Sequence, residues 1–217
     1  MTVSHYARFA AILAGFVGLG IELAAERLLA PAFGTTLDLW SIIIGLTFTA
    51  LSLGYALGGR FIDRNPSHRL LSYCLLGASA WGVFVGVAGR DIARWIQSWT
   101  FDFGGVTLGI FVSTLILITV PPFLLGMVTP AAIRLTVPIV GAAGSSAGTI
   151  FALSTLGSLV GTFLPVLVLM PEIGVRLTFF VVAAVGILGG LAGLTGLVRA
   201  PARAAHPIAE PVGAEHN

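Results

Sequence analysis

Six charge-poor windows, separated by short segments rich in Arg, Asp, Pro or Gly, run along the chain. Each is near the roughly 20 residues that a helix needs to cross the hydrocarbon core of a bilayer. The pattern therefore predicts spans at residues 8–29, 39–59, 70–89, 105–129, 145–170 and 174–198. Residues 1–198 then form one all-α transmembrane domain, and 199–217, with Pro, Ala and scattered charges, read as a flexible cytoplasmic tail. Pro121 and Pro122 fall inside the fourth window and should kink or interrupt it, because each removes a backbone donor. Pro171 closes the fifth. Between the third and fourth windows, Ile92, Trp95, Ile96, Trp99 and Phe103 stand at near-helical spacing among polar residues. They fit a short helix lying in the outer interface, and equally an aromatic belt at the span ends.

Composition makes the membrane reading firm. Of the 217 residues 57% are hydrophobic and 9% charged, where a soluble domain carries about a quarter charged. A mean hydropathy of +1.02 and 28 glycines suit helices packed closely in lipid. All eleven basic residues are Arg, and the net charge of +2 is too small to suggest nucleic acid as a partner. The lone Cys74 excludes an intrachain disulfide and a cysteine-only metal site. No cleavable leader is expected, since the first apolar run reaches Glu22, Glu26 and Arg27 without a small-residue cleavage motif. An N-terminus in the cytoplasm puts Arg8, Arg60, Arg64, Arg69, Arg134, Arg199 and Arg203 inside and leaves Arg27, Arg90, Arg94 and Arg176 outside. That is the orientation the positive-inside rule prefers, with both termini cytoplasmic.

The two halves of the chain carry a faint repeat. Arg27, Leu28, Pro31 and Gly34 recur 107 residues later as Arg134, Leu135, Pro138 and Gly141. Leu53, Gly54 and Gly58 recur 103 residues later as Leu156, Gly157 and Gly161. Two three-helix units in opposite orientation are a transporter pattern, and a 3+3 inverted repeat is the expectation.

Candidate chemistry concentrates in the first window. Glu22 and Glu26 are four residues apart and share a helix face, while Arg27 sits about 100° round from Glu26. An ionisable residue within a span usually faces a cavity or a partner, because exposure to lipid costs a few kcal/mol. Glu22, Glu26, Arg27 and Arg134 are thus candidates for binding a cation or proton, against an internal Glu–Arg pairing that pins helices together. Gly54, Gly58, Gly157 and Gly161 are candidates for close helix packing, within one chain or between two. Gly59, Asp63, Arg64 and Arg69, around the second loop, fit a conformational gate whose charge-assisted bonds break and reform as helices slide, or an ordinary positive-inside loop. Their pattern resembles the signature between the second and third helices of major facilitator transporters, except that Asn65-Pro66-Ser67 replaces the usual glycine-containing basic turn. Gly18-x-Gly20 preceding Glu22 follows no strand and is rejected as a nucleotide turn. No nucleophile triad, zinc cluster or other cofactor motif is present in the sequence.

Longer stretches carry a more specific likeness. Glu22 with Glu26-Arg27-Leu28-Leu29-Ala30-Pro31-Ala32-Phe33-Gly34, and Leu51-Ser52-Leu53-Gly54-Tyr55-Ala56-Leu57-Gly58-Gly59-Arg60, resemble the membrane region of the bacterial fused major facilitator/spermidine synthase-like proteins. So do Leu124-Leu125-Gly126-Met127-Val128-Thr129-Pro130 with Ile133-Arg134-Leu135, and Ala152-Leu153-Ser154-Thr155-Leu156-Gly157-Ser158 with Gly161-Thr162. The resemblance covers roughly residues 10–180 and implies a half major-facilitator bundle in a bacterial cytoplasmic membrane. That family joins its membrane region to a soluble aminopropyltransferase-like domain, and no segment after Val198 supplies such a sheet, so enzyme activity is not expected. Two functions follow. One is a homodimeric transporter of a small organic cation such as a polyamine, two copies recreating a twelve-helix cavity. The other is a membrane anchor for a separately encoded spermidine synthase-like enzyme. A third, catalysis on a lipid-soluble substrate, lacks convergent nucleophile and base residues.

Overall fold

The computed structural model describes residues 1–101, 104–137, 143–195 and 198. The expected tail at 199–217, Arg199 and Arg203 within it, Phe103, and the repeat positions Pro138 and Gly141 lie outside the described residues. Seven α-helices are present among those described: α1 (Val3–Phe33), α2 (Leu37–Arg64), α3 (Arg69–Phe101), α4 (Gly105–Leu117), α5 (Val120–Thr136), α6 (Ala143–Phe163) and α7 (Met170–Leu194), with a π-helical turn at Leu164–Leu169.

Local chemistry sets their ends. The Thr2 hydroxyl accepts from the His5 N–H at the start of α1, and Thr36 accepts from Leu39 at the start of α2, supplying acceptors the first helical turn lacks. Gly34, at φ 78°, ends α1 in a conformation that suits glycine. Residues 90–101 form neither a separate interfacial helix nor a loop, for they continue α3 without a break. Arg90, Asp91 and Arg94 are good enough helix residues that nothing stops the run.

By length and composition, four helical stretches can cross a membrane, five if α4 and α5 count as one bent crossing. The fold is an all-α, multi-pass membrane bundle with no strand among the described residues. α4 and α5 meet at 48°, across Ile118 and Thr119. The break has a covalent cause: Pro121 cannot donate to the Leu117 carbonyl, four residues back. The Trp81 indole N–H donates to that carbonyl instead, at 3.2 Å. Trp81→Phe keeps an aromatic ring but removes the indole N–H and orphans the acceptor. It should destabilise the protein by about 1–3 kcal/mol in denaturant titrations in detergent, and a variant as stable as the parent would remove Trp81 from this role.

Small residues determine which helices meet. A methyl group at Gly54 would overlap the Phe123 carbonyl, and one at Gly58 the Met127 backbone. Residue numbers rise together across this contact, so α2 runs parallel to α5. Gly157 lies on Ile12 and Gly161 on Phe16, so α6 runs parallel to α1. In contrast, Gly86 packs on Phe179 and Gly186 on Ser79, and Gly189 on Leu13, which makes α7 antiparallel to both α3 and α1. The pairings α1 with α6, α2 with α5 and α3 with α7 are the most extensive in the bundle. The four glycines flagged in the sequence therefore pack within this chain.

Because α6 and α7 run in opposite senses along α1, the chain reverses between them. The helical run Ala143–Leu194 has 52 residues, about 78 Å at the standard rise, against a hydrocarbon core of about 30 Å. Gly174, at φ 81° and ψ 165°, interrupts it, close to the boundary that Pro171 predicted. Upstream, Pro165 removes another donor, and the Met170 N–H bonds to the Pro165 carbonyl five residues back, the π-type spacing.

Candidate functional site

Glu22 lies two-thirds of the way along α1, half-buried, at a cavity of about 110 Å3 between α1, α2, α5 and α6. Glu22 and Gly18, about one turn apart on α1, both line it, and a methyl group at Gly18 would stand 3.5 Å from Leu125. Gly15, one turn lower, touches the Ser154 carbonyl and the Ser158 backbone and brings α6 close enough to close the cavity's side.

The wall is a mixture of hydroxyls and aliphatic groups. Thr47 and Tyr55 come from α2, Thr129 from α5, and Ser154 and Ser158 from α6, with Leu19, Leu51 and Leu125 between them. Thr47 is 4% exposed, and its hydroxyl interacts with the Glu22 carboxylate across the cavity. Among the described residues no Arg or His lines it.

The other charged residues singled out in the sequence lie elsewhere. Glu26 is 4% exposed but does not line the cavity; its carboxylate is 3.7 Å from the guanidinium of Arg27, which is exposed. Arg134, in the last turn of α5, reaches Asp63 near the end of α2 at 3.4 Å, with both side chains exposed. The pair thus joins two residues assigned to separate roles, a binding site and a gate. Arg64 and Arg69 are exposed and in no ion pair among the described residues. Gly59 is not a tight contact, as a methyl there would stand 4.0 Å from the nearest atom, on Pro130. In the same loop, burial and the neighbouring Arg69 hold His68 below the usual histidine pKa, while its ring meets Tyr6 edge-on at 6.3 Å. Tyr6 itself bonds to Ser72 at 2.8 Å and the Gly189 carbonyl at 3.2 Å, tying α1, α3 and α7 at this end.

Asp63 and Arg134 gain little stability from each other, because water screens both. Asp63→Asn should change unfolding free energy by less than about 1 kcal/mol in detergent, and a larger loss would mean that the pair anchors the α2–α5 contact.

No protein-family model, curated protein or solved structure matches this chain. What the site does must be argued from its own residues.

Proposed function

We propose that this chain is a membrane transport module in which Glu22 binds a small cation. The observation that carries the reading is the carboxylate's isolation. An acid within a span needs a counter-charge or a proton, and among the described residues the cavity wall offers hydroxyls but no basic group. A cationic ligand or a proton fills that requirement. Both change with solvent access, as alternating access needs.

The architecture supports six crossings arranged as a 3+3 inverted repeat. Exchange α1, α2 and α3 for the α4–α5 pair, α6 and α7, and the main contacts map onto themselves: α1 on α6 becomes α5 on α2, and α3 on α7 is unchanged. The glycine pairs repeat as well, Gly54 and Gly58 on α5 answering Gly157 and Gly161 on α1. This is the plan of half a major facilitator bundle, in line with the family resemblance of the sequence. Arg8, Arg60, Arg64, Arg69 and Arg134 share the end we assign to the cytoplasm of a bacterial inner membrane.

The cavity is partly open, so a ligand held at Glu22 can extend beyond it, and a second copy of the chain placed there would complete a twelve-helix site. The polyamine assignment rests on the family resemblance, the cation class on Glu22. Proteoliposomes provide the test: saturable uptake of labelled polyamine that competes with other organic cations, together with crosslinked pairs in the same membranes. A folded protein that moves none of a broad cation panel overturns the reading.

A further inference from the structure

Four charged side chains surround a second cavity, of about 270 Å3, at the end of the bundle away from the Asp63–Arg134 pair. Arg90, Asp91 and Arg94 come from α3 and Arg176 from α7, over a floor that includes Leu28 and Gly86. The mechanism proposed for Glu22 uses none of them. α3 is 33 residues long, about 50 Å, so its final turns extend past a hydrocarbon core of about 30 Å to the level of lipid headgroups.

The charges do not balance internally. Arg90 and Arg94 are one turn apart on one helix face, where like charges repel. Arg176 brings a third guanidinium from another helix, 5.9 Å above the Phe180 ring, which holds it by a cation–π contact. Asp91 supplies one carboxylate against the three. Among the described residues none of these four is in an ion pair, and Glu172, the other carboxylate near the start of α7, does not line the cavity. Gly174 breaks the helical run immediately before Val175, so a helix begins at this cavity and the positive end of its dipole adds to the field.

We propose that the Arg90–Arg94–Arg176 cavity is a binding site for a phosphate group. Planar guanidinium forks match phosphate oxygens two at a time, and three of them from two helices fix one group and clamp α3 to α7. Phosphate is available there from two sources, an anionic phospholipid headgroup or free phosphate, and the chemistry of recognition is the same for both.

The test uses the full chain in a phosphate-free nonionic detergent, followed by native mass spectrometry. It is titrated separately with phosphatidylglycerol, with diacylglycerol, which has the same tails and no phosphate, and with inorganic phosphate. The parent should bind phosphatidylglycerol or inorganic phosphate, and diacylglycerol far more weakly than phosphatidylglycerol. Binding of the phospholipid alone identifies a headgroup as the source, and binding of both identifies a site open to free phosphate. Arg94→Gln combined with Arg176→Gln should weaken binding roughly tenfold or more, while Arg60→Gln with Arg64→Gln at the opposite end should leave it unchanged. Asp91→Asn removes the opposing carboxylate and should tighten binding several-fold, a gain that misfolding cannot produce. The proposal is overturned by a parent that binds neither phosphate compound, by diacylglycerol bound as well as the phospholipid, by unchanged affinity in the double Arg94/Arg176 variant, by weakened binding in the Arg60/Arg64 variant, or by unchanged or weakened binding in Asp91→Asn.

Discussion

Gly157→Leu should separate α6 from α1 and lower the unfolding free energy by about 3 kcal/mol, the upper end of the usual cost of overpacking. The obstacle is main chain: an added side chain would meet the Ile12 carbonyl, and backbone in the middle of a helix cannot rotate away as a side-chain tip can. In lipid the loss is not recovered by burying the leucine elsewhere, since helix association there depends on close packing rather than on escape from water. Gly148→Leu in the same helix is the control. Among the described residues no atom stands within 4 Å of the position, and leucine is the better helix former, so that variant should match or slightly exceed the parent. Denaturant titration in detergent measures both. Equal stability of the two variants would mean that α1 and α6 do not approach as closely as described.

Glu22→Gln should leave the fold intact and remove cation uptake. Glutamine has nearly the same shape and can still bond to a hydroxyl, so the cavity and the helices around it have no reason to move. What disappears is the charge. Removing one partner of a desolvated charge pair costs about 2–5 kcal/mol. At the low end that is a factor of roughly 30 in affinity. The companion Thr47→Val replaces the buried hydroxyl that interacts with the Glu22 carboxylate by a methyl group of similar volume. It should weaken cation retention several-fold, and undiminished retention would remove Thr47 from the site. Glu22→Gln with undiminished uptake would place the cation site elsewhere.

The charge-free windows made the long helices legible, and the prolines at 121, 122 and 171 marked breaks close to where the chain bends. These are covalent effects, readable wherever a donor is missing. Glu22 was legible for a similar reason: a carboxylate within a span has few places to go. The rest of the site was not. Thr47, Thr129, Ser154 and Ser158 look like many hydroxyl residues in membrane helices, which can bond to their own backbone one turn back, and only the packing shows which of them border a void. Thr155 and Thr162 do bond that way, in the same helix as the two cavity serines. Spacing also misleads at Glu26. It shares the helix face of Glu22, yet one turn of α1 carries it about 6 Å along the axis and out of the cavity. The glycine pairs announced close packing, but not that Gly54 and Gly58 face α5 while Gly157 and Gly161 face α1, because partner choice is a property of three dimensions.

That choice of partners has a consequence for biogenesis. Each of the first three helices has its most extensive contact with a helix from the second half of the chain, α1 with α6, α2 with α5 and α3 with α7. During synthesis α1 enters the bilayer early and waits, its glycine-facing side against lipid, until α6 has emerged. The bundle closes late, and a ribosome that stalls after α3 leaves in the membrane three helices without their principal partners, a ready substrate for membrane quality control.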